Sequence, residues 1–170
     1  MTASVIAVVT ENPEATAAVG ATLGRWLRDG DVVLLHGDLG AGKTTLAKGI
    51  ATALRIDAVV ASPTFALVNE YEAGLFAPAT RLYHLDLYRL IDSNDLDSIG
   101  FADLASPRDG VTLVEWPERA IDALPASYLL IEITSSAVNR RSLHISAFPP
   151  DDTWAPRLAE LQSLLATQGD

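Results

Sequence analysis

The chain has 170 residues, 49% of them apolar, and its formal net charge at pH 7 is −10. This length predicts one globular domain with a full core. Without a long apolar run or a basic-then-apolar leader, we expect a soluble cytoplasmic protein that makes no membrane contact. The negative charge argues against broad direct binding to nucleic acid, and the absence of cysteine excludes disulfides, thiolate metal sites and thiol catalysis.

The first third of the chain alternates between strand and helix signals. Residues 5–9 predict a short strand, and Asn12 is typical of a helix N-cap because Pro13 follows it at the first helical position. Gly30 is expected to end that helix. The buried strand Val32–His36 comes next.

The segment after this strand carries the strongest motif, the phosphate-binding pattern G-x-x-x-x-G-K-[ST]. It reads Gly37-Asp38-Leu39-Gly40-Ala41-Gly42-Lys43-Thr44-Thr45, and a helical pattern follows it. Successive backbone N–H groups of such a loop turn toward nucleotide phosphates, which predicts nucleotide binding by residues 39–45. Lys43, one of only two lysines in the chain, supplies a positive charge, and the Thr44 hydroxyl can ligate Mg²⁺.

The remaining elements predict a mixed sheet. Two nearby strand patterns favour an antiparallel hairpin, because a parallel pair would need a longer crossover. The predicted elements are strands at 64–71, 82–88, 111–115, 129–133 and 142–148, an acidic helix at 92–104, and a helical tail from residue 153. We therefore expect a single α/β P-loop domain (residues 1–150) with its P-loop strand near the sheet centre. The C-terminal helical tail (151–170) is expected to pack on the same domain.

Two strand patterns, Arg81–Asp86 and Val111–Glu115, end in a carboxylate. Nucleotide hydrolysis needs acids for Mg²⁺ and for the attacking water, and these stand at the carboxyl ends of strands beside the loop strand. Glu115 follows the more apolar strand and resembles a Walker B acid. A solvated strand end is the alternative for each acid taken alone.

A third candidate is the segment Ser62-Pro63-Thr64-Phe65. Pro63 keeps the backbone extended between two hydroxyl groups, and such a hydroxyl can sense a γ-phosphate or Mg²⁺ in a nucleotide switch. A Ser-Pro turn that starts a strand is the simpler interpretation.

Taken in order, these motifs resemble the TsaE (YjeE) family of small bacterial ATPases. The series is the phosphate loop, Ser62-Pro63-Thr64-Phe65, Asn69-Glu70-Tyr71, His84-Leu85-Asp86-Leu87-Tyr88-Arg89-Leu90 and Glu115-Trp116-Pro117-Glu118. The resemblance implies a part in making threonylcarbamoyladenosine at the tRNA base next to the anticodon. It also implies that the protein acts together with the TsaB–TsaD heterodimer, in which TsaD performs the transfer to tRNA. The protein would then contact tRNA only indirectly, through this complex.

The resemblance also implies roles for single residues. By this resemblance, Lys43 contacts the phosphates of ATP or ADP, and Thr44 ligates the Mg²⁺ cofactor. Glu115 matches an essential acid that ligates metal or water, and Asp86 a second acid needed for activity. Both are expected as metal ligands, with ATP hydrolysis slow alone and faster with partners.

Three further positions follow from the same resemblance. Thr64 falls in the switch-like segment, and Thr16 matches a helix threonine near the nucleotide. Arg140, the first of a basic pair, matches a possible nucleotide contact, although Asn139 stands where the family usually has glycine.

Two other functions stay open from the residues alone. A P-loop small-molecule kinase shares the size and the loop, but such kinases carry an arginine-rich lid, and no clustered-arginine loop besides Arg140-Arg141 is evident. A nucleotide-gated binding module, in which hydrolysis is incidental, would use the same residues.

Overall fold

The computed structural model describes residues 4–61, 63 and 67–167. Its strands are β1 Ile6–Thr10, β2 Val32–His36, β3 Val68–Glu72, β4 Arg81–Asp86, β5 Val111–Glu115, β6 Tyr128–Ser135 and β7 Arg141–Phe148. Its helices are α1 Pro13–Trp26, α2 Lys43–Ala53, α3 Ser93–Ser98, α4 Phe101–Leu104 and α5 Ala155–Ala166, with a 3₁₀ helix at Pro117–Ala123. The strands form one sheet in the order β1-β7-β6-β2-β5-β4-β3.

The strand that leads into the phosphate loop lies at the centre of the sheet. β2 pairs in parallel with β5 on one side and with β6 on the other, and β4 is parallel to β5. The outer pairs β3–β4, β6–β7 and β7–β1 are antiparallel. The predicted mixed sheet, its central P-loop strand and the antiparallel hairpin are therefore confirmed.

Helices cover the two faces of the sheet unequally. α1, α2 and α5 contribute to the larger core cluster, in which Leu23, Ile50 and Leu161 are fully buried. α3, α4 and the 3₁₀ helix contribute to a smaller cluster around Leu34 and Val114 on the opposite face. β2 and β5 are buried on both faces, which agrees with their mostly apolar sequences, VVLLH and VTLVE, in which polar and apolar residues do not alternate.

α1 and α2 approach each other closely through glycine. A Cβ at Gly20 would lie 2.3 Å from the Leu46 carbonyl oxygen, and one at Gly49 would lie 2.1 Å from the Ala17 carbonyl oxygen. Neither position has room for a side chain, so α1 packs directly on the helix that follows the phosphate loop. Asn12 caps α1 as predicted, because its side-chain oxygen accepts a hydrogen bond from Ala15 N.

Several boundaries differ from the sequence predictions. The expected helix at 92–104 is interrupted by Gly100, whose φ of +67° separates α3 from α4. α1 ends at Trp26 rather than at Gly30, because the backbone of Leu27 is already extended and Gly30 forms a later left-handed turn. β4 ends at Asp86, two residues early. β3 begins at Val68, and residues 64–66 of the predicted strand lie outside the described residues.

A largely buried ion pair joins the C-terminal helix to Asp31, the residue before β2. Arg157 donates two hydrogen bonds to the carboxylate of Asp31, at 2.8 and 2.7 Å. Its guanidinium lies over the rings of both Trp26 and Trp154, at 4.4 and 5.0 Å from their centroids. Residues 168–170 of the predicted tail lie outside the described residues. Within the described part, no helix is long and apolar enough to span a bilayer.

We predict that Arg157→Ala lowers the free energy of unfolding by about 3 kcal/mol, because it leaves the Asp31 carboxylate largely buried without its partner. Urea denaturation followed by circular dichroism measures this change. Arg28→Ala is the matched control, since the Arg28–Glu160 pair is more than half exposed and should be worth less than about 1 kcal/mol. Equal effects of the two substitutions would contradict the assigned role of Arg157.

Candidate functional site

The phosphate loop joins the carboxyl end of β2 to the first turn of α2. Gly40 and Gly42 have φ values of +78° and +108°, which side chains rarely adopt, so glycine is required at both turns. α2 begins at Lys43, directly after the loop, and its unpaired backbone N–H groups favour an anion there. The loop therefore has the geometry of a phosphate site.

A cavity of about 510 Å³ lies over this loop. It is lined by residues 39–45 of the loop, by Asp86, Tyr88 and Arg89 at and after the end of β4, and by Glu115 and Trp116 at the end of β5. This volume lies within the range of small-molecule sites. The structure thus brings both predicted acids to the same cavity as the phosphate loop.

Lys43 is buried inside the loop. Its ammonium donates hydrogen bonds to the carbonyl oxygens of Gly37 and Asp38, and it lies 4.2 Å from the centre of the Trp116 ring. Burial lowers the pKa of Lys43 below its ordinary value, while four carboxylates act in the opposite direction, those of Glu115, Glu118, Asp86 and Asp38. The ammonium is thus held between loop carbonyls and a group of acids.

The two acids stand side by side on neighbouring parallel strands. Asp86 and Glu115 are register partners at the ends of β4 and β5, and only 7% and 3% of their surfaces are exposed. The Asp86 carboxylate accepts a hydrogen bond from Tyr88 N at 3.0 Å. The Glu115 carboxylate lies 3.0 Å from the Nε2 atom of buried His84. Each buried acid is therefore hydrogen-bonded within the protein.

The donors around the cavity fit Mg²⁺. Thr44 supplies a hydroxyl from the first turn of α2, and Asp86 and Glu115 supply carboxylates, so every donor is oxygen. Within the described ranges, no three His, Asp or Glu side chains group closely enough to hold a metal by themselves. Mg²⁺ is commonly held by one or two carboxylates, substrate phosphates and water, which matches this arrangement.

Trp116 forms a strained wall of the cavity. Its φ of +59° is unusual for a residue with a side chain, and Pro117 follows it. Its ring packs on Tyr88 with centroids 4.8 Å apart and covers Lys43. Backbone strain of this kind persists where surrounding contacts enforce it, and it is common at functional sites.

Of two further predicted residues, Thr16 lies beside the phosphate loop but not in the cavity lining, and Thr64 is not among the described residues. Thr16 is buried, and its hydroxyl is hydrogen-bonded to the Thr10 hydroxyl at 2.7 Å. Its methyl group would lie 3.9 Å from a Cβ at Gly42, so Thr16 lies close to the loop. Thr64 lies outside the described residues. Their nucleotide and switch roles stay predictions.

The two arginines of the basic pair, Arg140 and Arg141, contact different parts of the protein. Arg140 is half exposed, and its Nε lies 3.3 Å from a carboxylate oxygen of Glu11. Arg141 instead donates to the carbonyl oxygens of Ala41 at 2.8 Å and Gly40 at 3.4 Å. It also donates to three carbonyl oxygens of the β6–β7 turn, those of Ala137, Val138 and Arg140.

Sequence reasoning named Arg140 as the nucleotide contact and did not single out Arg141. Arg140 belongs to the β6–β7 turn and Arg141 is the first residue of β7. The Arg141 side chain contacts the phosphate loop, and that of Arg140 contacts Glu11. The sequence motif does not indicate which of the two arginines contacts the phosphate loop. That choice depends on how β7 pairs with β6 and β1, and the nucleotide role of Arg140 stays a prediction.

Comparisons with known proteins agree with one another. The sequence model of the family described as "Threonylcarbamoyl adenosine biosynthesis protein TsaE" matches residues 10–143. Proteins named "tRNA threonylcarbamoyladenosine biosynthesis protein TsaE" are similar to the chain. That of Mycobacterium leprae is 42% identical over 75% of this chain and 81% of its own length. That of Bacillus subtilis is 38% identical over 81% and 83%.

A solved structure resembles the whole fold. The crystal structure of Bacillus subtilis YdiB superposes with a TM-score of 0.74 and is 31% identical in sequence. The match covers 100% of this chain and 99% of that one.

We predict that Arg141→Ala weakens binding of a non-hydrolysable ATP analogue with Mg²⁺ about tenfold, since the guanidinium holds loop carbonyls in place. Arg140→Ala is the neighbouring control, and it should change the dissociation constant less than about twofold because its pair with Glu11 is exposed. Isothermal titration calorimetry measures both constants. The reverse order of effects would assign the nucleotide contact to Arg140.

Proposed function

The chain belongs to the TsaE family, and from this we propose that it is a Mg²⁺-dependent ATPase required for threonylcarbamoyladenosine modification of tRNA next to the anticodon. The main support is the meeting of Lys43, Asp86 and Glu115 at one cavity over the phosphate loop. A loop alone binds phosphate, whereas hydrolysis also needs acids placed beside it. The names of the relatives support the pathway.

The proposed reaction gives a role to each group of residues that lines the cavity. The loop N–H groups and Lys43 bind the β- and γ-phosphates. Thr44, Asp86 and Glu115 are the residues that would hold Mg²⁺, which when bound neutralises charge on the phosphate oxygens. With Oε1 of Glu115 engaged by His84, Oε2 is the oxygen to accept a hydrogen bond from the attacking water. Trp116 and Tyr88, whose rings pack on each other, line the same cavity.

We further propose that the protein acts in the cytoplasm with the TsaB–TsaD heterodimer and meets tRNA only through that complex. The formal charge of −10 supports this division, because an acidic surface repels the tRNA backbone. Hydrolysis is expected to be slow alone and faster with the partners. ATP binding and ADP release would then control when the complex modifies tRNA.

We predict that Lys43→Ala and Glu115→Gln separate binding from hydrolysis. Lys43→Ala should weaken ATP binding because it removes the cation of the loop, whereas Glu115→Gln should keep binding within about threefold and lower the hydrolysis rate about a hundredfold. Phosphate release and calorimetry measure the two effects. Lys48→Ala, the other lysine, is exposed on the same helix and should change neither.

Two results would overturn this assignment. No ATP binding by the wild-type protein in the presence of Mg²⁺ would end the ATPase proposal. Transfer of the γ-phosphate to a small metabolite would identify a kinase instead.

We predict that depletion of the protein in its own host lowers threonylcarbamoyladenosine in digested tRNA, as quantified by mass spectrometry. Wild type and Lys48→Ala should restore the modification, and Lys43→Ala should not. Full restoration by Glu115→Gln would favour a nucleotide-gated binding module, since hydrolysis would not then be essential. Unchanged modification after depletion would contradict the pathway.

A further inference from the structure

His84 is a fully buried histidine that contacts the proposed catalytic acid. It lies on β4 two residues before Asp86, and its Nε2 atom is 3.0 Å from Oε1 of Glu115 on β5. We propose that His84 is a positioning residue that fixes the orientation of the Glu115 carboxylate for hydrolysis. This inference rests on the ATPase function proposed above.

The strand register lets the ring reach the carboxylate from within the sheet. Asp86 is the partner of Glu115, and His84 is the partner of Leu113, one pleat deeper in the core. His84 therefore approaches Glu115 from the side away from the cavity mouth. His84 does not line the cavity. Its ring can therefore hold the carboxylate without occupying space in the cavity.

The hydrogen positions of the ring follow from its surroundings. An ionised carboxylate only accepts hydrogen bonds, so Nε2 carries the hydrogen and donates it to Oε1. Among the described residues, the buried Nδ1 atom has no partner, and a hydrogen there would be an unsatisfied donor. The contacts therefore place the donated hydrogen on Nε2, and the one polar contact of the ring in the described structure is Glu115.

Without this donor, the carboxylate would have a competing orientation. The last torsion of a glutamate is broad, so a single hydrogen bond decides where its oxygens point. Lys43 is close enough to interact electrostatically with Glu115. A released carboxylate would turn toward that ammonium rather than toward water, and small displacements of a reacting group lower rates strongly.

The test compares three variants of His84 in the full chain. His84→Leu and His84→Asn remove the donor or shorten its reach, and each should lower kcat for ATP tenfold or more. His84→Gln places an amide N–H near the former Nε2 position and should restore most of the rate. All three should bind the non-hydrolysable analogue within about threefold of wild type, because none touches the phosphate loop. His144→Leu, at an exposed histidine of β7, is the control that should leave kcat unchanged.

A second measurement separates positioning from general stability. In a Glu115→Gln background, His84→Leu should cause no further loss of single-turnover rate, because the two residues act as a unit. An additive loss would overturn the inference. So would equal losses in the Gln, Asn and Leu variants, a pattern that indicates a packing role, or a normal kcat in a folded His84→Leu protein.

The wild-type control distinguishes the two proposals. If wild type does not hydrolyse ATP, the proposed function fails and this inference fails with it. If wild type hydrolyses ATP and the His84→Leu and His84→Asn variants do so equally well, only the role of His84 is refuted.

Discussion

Parallel pairing of β5 with both β2 and β4 is the constraint on which the candidate site depends. It brings three carboxyl ends to one edge of the sheet, so that the phosphate loop, Glu115 and Asp86 meet at one cavity. The same pairing buries two carboxylates, which costs free energy unless each is hydrogen-bonded. Tyr88 N and the His84 ring provide those bonds. The acids are thus fixed before any ligand arrives.

The phosphate loop is held from three sides. From behind, α1 packs on α2 so closely that Gly20 and Gly49 have no room for side chains. From the side, Arg141 binds loop carbonyls, and from within, Lys43 does the same. A loop held in this way presents its N–H groups to phosphate with little rearrangement, which is the condition for strong electrostatic stabilisation.

The charge around Lys43 supports the proposed use of a metal. Four carboxylates influence one buried ammonium, and a triphosphate would add further negative charge to the same cavity. Lys43 and the cavity-lining Arg89 cannot compensate for that sum, and a divalent cation would reduce the remaining negative charge. The oxygen donors of Thr44, Asp86 and Glu115 suit Mg²⁺ for this purpose.

The sequence by itself determined the features that depend on neighbours along the chain. The glycine spacing of the phosphate loop, the Asn12 cap and the strand at 111–115 follow from local geometry, and each stands where it was predicted. The predicted end of the strand at 111–115 also placed Glu115 at the edge of the sheet beside the phosphate loop, whereas β4 ends at Asp86, two residues before its predicted end. The ordered motifs indicated the family. By contrast, the helix interruption at Gly100 depends on a backbone angle that a helical pattern does not encode.

Only the tertiary structure decided which residues contact one another across elements. The His84–Glu115 contact joins residues 31 apart, and the bond from Arg141 to Ala41 joins residues 100 apart. Such pairs depend on strand order and register, and a shift of one residue would turn Arg140 rather than Arg141 toward the loop. Spacing within one element cannot specify this, because the buried contacts of the whole sheet set the register together.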